Sequence, residues 1–480
     1  MNLTDYISAA PEMILLVLIC VVLIADLFID NEHRVATFWL SMAALAITGW
    51  SILATAPIER VVVFDGSYVS DPLSQILKIT AVAFVALAFL YARDYLRAND
   101  LHKGEYYLLG LFGLLGMMIM TSANSLLTMY LGLETLALSL YALVAIDRNS
   151  ATAAESAMKY FVLGAIASGA LLYGISWIYG VTGTLKFDEI AAVIAAEPDL
   201  NNLPLWFGLA FLIVGIAFKF GAVPFHMWLP DVYQGARTPV TLYIASAPKL
   251  AALAFTVRIL VDGLGGLQDV WADMIMVVAV LSLLVGNVIA IAQTNIKRML
   301  GYSAIAHVGF ILLAIFCGTD KGYAAALFYT LTYIVATAGA FGIVILLSRR
   351  GYEAESLADF KGLNERSPWF TLMMMFLMLS LTGIPPFIGF FGKLNVIDAV
   401  LSSGYPGLAV LMVVASVVGA FYYLRVIWYM YFEPAEDQAV LQASADTRLV
   451  LSLNGVAVLG LGIVPGWLWA LCTQIALSIR

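Results

Sequence analysis

Apolar residues fill long blocks of this chain, without the two-residue alternation of a strand or the one-sided spacing of a surface helix. Short polar stretches close each block. A helix that crosses a bilayer needs about 20 apolar residues. Fourteen blocks fall near that length, at 11–29, 35–55, 72–92, 106–122, 124–146, 156–181, 203–222, 239–261, 270–292, 300–317, 322–347, 369–398, 406–432 and 449–475. They predict an all-α polytopic membrane protein. The longest polar connections lie near 92–105, 183–202, 348–368 and 433–448. Within the second, residues 185–197, LKFDEIAAVIAAE, are weakly amphipathic and predict a short helix at the membrane surface.

Two blocks carry a break. In IVGIAFKFGAVPFHMWLPDVYQGA, from Ile213 to Ala236, an apolar helix reaches Lys219. Pro224 then removes a backbone donor and clashes with the carbonyl of Phe220, so the helix must break or kink. His226 follows, then an exit loop with Asp231 and Gly235. In SLTGIPPFIGFFGK, from Ser380 to Lys393, Pro385 and Pro386 break a second apolar helix and Lys393 lies beyond them. A broken helix with an ionisable residue at membrane depth is a recurrent construction of ion sites.

Composition narrows the function. The chain has 480 residues, 62% hydrophobic and 12% charged, with a mean hydropathy of +0.94. Its charged fraction is about half that of a soluble domain. The net charge of −8 and the lack of any basic run give no argument for nucleic acid. The first block outruns a signal peptide and has no small-residue cleavage site, so no removed signal is expected. Cys20, Cys317 and Cys472 each stand alone, with no CxxC, so no iron–sulfur or zinc spacing exists. His33, His102, His226 and His307 form no metal-ligand spacing, and neither a P-loop nor a dinucleotide fingerprint occurs. The chain is expected to work without a redox cofactor, metal or nucleotide of its own.

Basic residues set the orientation. Loops after odd-numbered blocks hold thirteen: Arg34, Arg93, Arg97, Lys103, Arg148, Arg237, Lys297, Arg298, Arg349, Arg350, Lys361, Arg366 and Arg448. The opposite loops and termini hold five: Arg60, Lys186, Arg258, Lys321 and Arg480. Odd exits therefore face the cytoplasm, and both termini face the other side. Blocks 4–8 and 9–13 form two sets of five, and an odd number of spans inverts the second copy. The expected divisions are an N-terminal three-helix segment at 1–105, repeats at 106–262 and 263–432, and a C-terminal connection and last helix at 433–480. The fourth member of each set is a broken, lysine-bearing helix. The second members carry Glu134 and His307, and the fifth hold Lys249 and Arg425. Lys159, on a third member, has no counterpart.

A carboxylate such as Glu134, mid-block in YLGLETLALSLY, costs several kcal/mol in lipid unless paired. Lys159 on the next block is the expected partner, in a structural pair or a functional one. An amine held away from bulk water, as expected for Lys219, Lys249 and Lys393, can carry a proton. Snorkelling to the interface is the plainer alternative. It is weaker for Lys219 and Lys393, because the prolines free carbonyls that can hold an ammonium inside the protein. Lys78 and Asp26 lie near block ends, where snorkelling is equally expected, and Arg425 reads as structural. His226 and His307 are relay candidates, and Tyr302 and Ser303 near His307 could hold water. Together Glu134, Lys159, Lys219, Lys249 and Lys393 outline a proton wire running partly along the membrane plane.

At this point LGLETLALSLYALVA, KYFVLGAIASGALLYGISWIYGVTGT, FKFGAVPFHMWLPDVYQGARTPVT, QTNIKRMLGYSAIAHVGF and GLNERSPWFTLMMMFLMLSLTGIPPFIGFFGK are similar to the antiporter-like membrane subunits of respiratory complex I, the proton-pumping NADH–quinone oxidoreductase. The resemblance covers blocks 5 to 12. It implies about 14 helices, two inverted half-channels and no cofactor in this chain. It implies a bacterial inner membrane, neighbouring membrane subunits as partners, and partner subunits that hold FMN and iron–sulfur clusters. By matching motif, Glu134 and Lys159 resemble the family's carboxylate–lysine pair. Lys219 resembles its proton-loading lysine, Lys249 its central lysine, and Lys393 the terminal group of the second half-channel. Two other readings compete: a subunit of a secondary cation/proton antiporter, and a structural subunit with idle ion pairs.

Overall fold

A computed structural model of the chain describes residues 2–30, 34–57, 59–196, 203–436, 441 and 444–479. His33 and Arg480 lie outside the described residues. The N-terminal part holds α1 (Leu3–Ser8), α2 (Ala10–Asp26), α3 (Val35–Ala54) and α4 (Pro72–Ala98). A hairpin of β1 (Val61–Val63) and β2 (Tyr68–Ser70) joins α3 to α4, with Val62 opposite Val69. The block pattern did not foresee this hairpin. Its turn takes positive φ at Phe64, Asp65 and Gly66.

Five more apolar stretches follow: α5 (Gly104–Ser122), α6 (Leu126–Val144), α7 (Ala151–Thr182), α9 (Leu203–Phe220), and a composite of α11 (Thr238–Ala245) and α12 (Pro248–Val257). The short α8 (Phe187–Ala196) stands where the surface helix was expected, and α10 (Trp228–Gly235) follows the first break. Next come α13 (Gln268–Ile291), α14 (Ile296–Phe316), α15 (Asp320–Leu347), the short α16 (Leu363–Arg366), α17 (Pro368–Thr382) and α18 (Ile388–Ser402). The chain closes with α19 (Pro406–Phe432), α20 (Ala445–Ile463) and α21 (Gly466–Leu477). Among the described residues, 12 helices are long and apolar enough to cross a membrane. The first expected block forms only the 17-residue α2, and the twelfth is divided between α17 and α18.

The 239–261 block is not one straight helix. It breaks at Ser246 (φ −108°, ψ −96°), and α12 restarts with Pro248, which has no N–H to offer the preceding turn. A π-turn at Arg258–Gly263 ends it. This composite, α14 and α15 are almost wholly enclosed and form the centre, while α7, α19 and α20 form the rim.

The same construction occurs twice at a spacing of 170 residues. Leu126 N–H donates to the Leu185 carbonyl (2.9 Å) and Phe187 N–H to the Asn124 carbonyl (3.0 Å). Ile296 N–H donates to Glu355 (2.6 Å) and Leu357 N–H to Thr294 (2.9 Å) in the same pattern. Helix approach repeats too. A Cβ on Gly116 would lie 2.5 Å from the Leu136 nitrogen, and one on Gly286 would lie 2.6 Å from the Ala306 nitrogen. Only glycine lets α5 meet α6, and α13 meet α14, backbone to backbone.

Three charges read as edge or loop residues are held by partners, two of them fully inside the protein. Lys78 does not snorkel: its amine lies 2.6 Å from Glu12 and 2.9 Å from the Tyr68 hydroxyl, all buried. Arg258, counted above with the loops, is fully buried and holds Asp71 at 2.8 Å and Asp262 at 2.9 Å. Removing it from the loop count sharpens the charge bias. Asp26 is held by Arg34 (3.0 Å) and Thr37 (2.6 Å). Arg425 is structural as expected, capping the end of α13 at the Ile291 (2.9 Å) and Gln293 (2.6 Å) carbonyls.

Arg258→Leu leaves two buried carboxylates without their cation, so it should destabilise the fold by about 3–5 kcal/mol. A lower thermal unfolding midpoint in detergent is the expected reading. An unchanged midpoint would show that the triad contributes nothing to the fold.

Candidate functional site

The first break is built by local geometry. Gly221 turns the chain at φ +74°, where a Cβ would lie 2.3 Å from Leu229. The last carbonyls of a helix have no partner in the helix itself, and here three of them find one. The Phe218 carbonyl accepts from Gly221 N–H (2.9 Å) and from the Trp228 indole (3.0 Å). The Ala217 carbonyl accepts from Ala222 N–H (2.7 Å). The Phe220 carbonyl accepts from the Lys249 amine at 2.6 Å. The expected freeing of the Phe220 carbonyl therefore occurs, but Lys249 takes it rather than Lys219.

Lys219 instead faces a cavity of about 20 Å³, room for one water, with Tyr141, Tyr160, Ser168, Phe218 and Trp228 in its walls. Tyr160 stacks on Trp228 with ring centres 4.5 Å apart, so the α7 wall is fixed to the break. Glu134 on α6 accepts a hydrogen bond from the Ser168 hydroxyl. Its carboxylate is the charge that acts on Lys219, and Lys219 in turn acts on Lys249.

Lys159 is not part of it. Its amine is exposed on α7 and bridges Glu155 (2.9 Å) and Asp231 (3.0 Å). Adjacency of blocks suggested a pair with Glu134. The helical phase instead points Lys159 toward α10, where Asp231 also holds Arg298 at 2.6 Å. His226 lies half-buried in the break with Nδ1 unpartnered, and no hydrogen bond joins it to either lysine among the described residues.

The second break repeats the device. α17 ends at Thr382, Gly383 turns at φ +86°, and Lys393 on α18 reaches back to the Thr382 carbonyl at 2.8 Å. Its amine lies 5.4 Å from the Phe310 ring centre. His307 is buried beside it and lies in a hydroxyl chain. Nδ1 is 2.7 Å from the Tyr329 hydroxyl and Nε2 is 2.9 Å from that of Tyr423. Tyr423 also bonds Ser303. A neutral imidazole donates through one nitrogen and accepts through the other, and hydroxyls can do both, so the chain can reverse its polarity. Lys393 is the charge that acts on His307. A cavity of about 10 Å³ joins His307, Tyr329 and Tyr333 to Ser380 and Gly389 of the break.

Sequence reasoning missed Tyr329, Tyr333 and Tyr423, because aromatic residues inside apolar blocks look like packing. Ser303, read as a water holder, bonds Tyr423 instead. Among the described residues, no group of three His, Cys, Asp or Glu could hold a metal ion. Cys317 and Cys472 are buried and free, and Cys20 is exposed.

One face of the protein carries an ionic seam. Arg237, just after the first break, binds Asp147 at 2.5 Å and Glu353 at 3.1 Å. Glu353 also accepts from the Thr238 hydroxyl (2.7 Å), and Lys297 binds Glu355 (2.6 Å) and the Ala236 carbonyl (2.9 Å). Burial, followed by the Glu355 carboxylate, pushes Glu353 up to about 8. Arg237, whose Nη1 donates to Glu353 while Nε and Nη2 hold Asp147, opposes this rise, since an adjacent cation favours the carboxylate.

Comparison with known proteins gives consistent matches. Residues 123–419 match the family described as NADH:quinone oxidoreductase/Mrp antiporter, TM. The chain is 54% identical over 472 residues to NADH-quinone oxidoreductase subunit N of Thioalkalivibrio sulfidiphilus, covering 98% of each. It is 50% identical over 474 residues to the subunit N of Thiobacillus denitrificans, covering 99% of this chain and 98% of that one. Among solved structures, a chain of respiratory complex I from Thermus thermophilus with bound aureothin matches with a TM-score of 0.82 at 32% identity, covering 96% of this chain and 98% of that one. A chain of the Mrp complex from Dietzia shares the fold, with a TM-score of 0.84 at 21% identity, covering 100% of this chain and 98% of that one.

The raised Glu353 has a signed consequence for pH. Its folded-state value lies above its free value of 4.5, so the unfolded chain ionises first. Its contribution to stability is full below 4.5 and is lost as pH rises to about 8. The unfolding midpoint of the wild type should decline across that window, and Glu353→Gln should flatten the decline. Parallel pH profiles for the two proteins would contradict the assignment.

Proposed function

The chain belongs to the NADH:quinone oxidoreductase/Mrp antiporter transmembrane family, within its subunit N group, and from that membership we propose that it carries protons across the bacterial inner membrane as a subunit of NADH–quinone oxidoreductase. Partner subunits hold the FMN and iron–sulfur clusters that move electrons from NADH to quinone, and neighbouring membrane subunits flank this one. The observation that carries the reading is the doubled arrangement of an enclosed lysine amine on the terminal carbonyl of a broken helix, Lys249 on Phe220 and Lys393 on Thr382.

The roles follow from what each group can do. Glu134 sets the field at Lys219, which gains or releases a proton through the water-sized cavity beside it. Lys249 receives the charge. In the second half, Ser303, Tyr423, His307 and Tyr329 relay a proton by reversing their hydrogen bonds, and Lys393 ends the relay. Proton transfer requires hydrogen-bond reach, direct or through one water. Waters bridge the remaining steps. Lys159 steadies α7 against α10 through Asp231 and carries no proton in this scheme. His226 lies in the break as a secondary relay candidate.

The repeated bridges and glycine crossings at a spacing of 170 residues support an inverted duplication over 106–262 and 263–432, preceded by a three-helix segment and followed by a last helix. The charge bias supports both termini outside the cytoplasm, with the Arg237–Glu353 seam on the cytoplasmic face. Cysteines introduced near Asn2 and Arg480 should then both label from the periplasm in intact cells. Labelling of one end alone would rule out the orientation.

Lys219→Ala should depress proton transfer per NADH oxidised in inverted vesicles holding equal amounts of assembled complex. Lys219→Arg keeps a charge that cannot be released, so it should fail as well. Wild-type pumping by the arginine variant would sink the titrating role. Glu134→Gln should cost more pumping than Lys159→Ala, and the reverse order would restore the paired reading of Glu134 and Lys159. Sodium transport by these vesicles without NADH would favour the cation/proton antiporter reading.

A further inference from the structure

Tyr233 on α10 is a buried hydroxyl that the relay described above does not use. At the start of the same helix, Trp228 stacks on Tyr160 in the wall of the Lys219 cavity. Five residues on, Tyr233 is fully buried against α14 and α15. A Cβ on Gly301 of α14 would lie 3.5 Å from its ring, and the Phe341 ring of α15 is centred 6.0 Å away. Its hydroxyl has no hydrogen-bond partner among the described residues. A buried hydroxyl left without a partner is costly, so its place in the core asks for a reason.

Its neighbours supply one. The ionisable side chains whose fields reach the Tyr233 hydroxyl are those of Tyr333 and Tyr160. They belong to different sites: Tyr160 walls the cavity beside Lys219, and Tyr333 walls the cavity beside His307. On the second side a winding stripe of α15 continues the connection. Tyr329, Tyr333, Thr337 and Phe341 follow at four-residue spacing, about 6 Å apart along the helix, and all are buried. Phe341 packs on the Tyr233 ring, and the Thr337 hydroxyl is in hydrogen-bond reach of Tyr333. The Tyr333 ring centre is 4.8 Å from that of His307, whose Nδ1 meets the Tyr329 hydroxyl.

We propose that the Tyr233 hydroxyl is a further proton-relay group, which joins the Lys219 cavity to the His307 chain in parallel with Lys249. The inference rests on the proton-carrying reading given above. The phenol passes its proton to an oxygen on the Tyr333 and Thr337 side and takes one from an oxygen on the Tyr160 side, directly or through one water. It then turns about its C–O bond to reset. One O–H bond breaks as another forms on the same oxygen, so no phenolate accumulates and nothing is oxidised.

The test uses inverted vesicles holding equal amounts of assembled complex and measures protons moved per NADH oxidised. Tyr233→Phe keeps the ring against Phe341 and loses only the hydroxyl. It should lower the ratio partway to that of Lys219→Ala, and adding Lys249→Ala should remove what remains. A second variant carries 3,5-difluorotyrosine at position 233, which keeps the ring and hydroxyl but acidifies the phenol. It should pump, with the alkaline limb of its pH profile moved to lower pH, a shift that a merely structural hydroxyl would not produce. Wild-type pumping by Tyr233→Phe, or a difluorotyrosine profile that superimposes on the wild type, would overturn the proposal. Lys219→Ala in the same vesicles separates the two failures. Its wild-type pumping would remove the reading on which the relay rests, whereas its loss beside wild-type pumping by Tyr233→Phe would remove Tyr233 alone.

Discussion

A helix that stops inside a membrane exposes carbonyl groups where no bulk water can satisfy them, and that constraint shapes the centre of this protein. Each unsatisfied group in lipid costs several kcal/mol. At both breaks the protein answers with a backbone turn and a lysine. Gly221 and Gly383 fold the chain back under positive φ, and the amines of Lys249 and Lys393 bond the carbonyls left over. The partial negative charge of a helix C-terminus favours a cation at such a place. The structural need and the proposed proton site thus fall on the same atoms: the carbonyl requires a donor, and the donor is a titratable amine.

The charged groups inside the bundle divide by their partners. Arg258 with Asp71 and Asp262, and Lys78 with Glu12, are enclosed ion pairs at short distance. Breaking such a pair strands a charge, so each partner holds the other in one state. Lys219, Lys249 and Lys393 form no ion pair among the described residues, and only fields from neighbours and hydrogen bonds to neutral acceptors act on them. An amine in that condition responds to small changes nearby. Enclosed charge alone therefore does not single out a candidate proton carrier; these three amines differ from the enclosed ion pairs in having no fixed counter-ion among the described residues.

The two halves are joined at the surface as well as in the core. Arg237 follows the first break and reaches Glu353, which follows α15 of the second half. Lys297 at the start of α14 reaches back to the Ala236 carbonyl. These bonds join the two halves of the chain at one face, just after the segment that carries Lys219 and Pro224.

Block length, proline position and isolated charge were readable without a structure, because lipid imposes them locally. A span must be long and apolar, proline must interrupt it, and a charge within it must have a reason. That was enough for the all-α class, for both broken helices, and to single out Glu134, Lys219, Lys249, His307 and Lys393 as candidates. Partner choice was not readable, because it depends on which face of each helix meets its neighbour. Lys159 turns to Asp231 rather than Glu134, Lys249 takes the carbonyl expected to serve Lys219, and Lys78 finds Glu12, 66 positions away. The break at Ser246 and the tyrosines around His307 also emerged only when the helices were packed, since a serine or tyrosine in an apolar block has no local signature. Side chains were chosen by chain-local physics, and their partners by helix rotation and crossing, which close glycine contacts between distant residues determine.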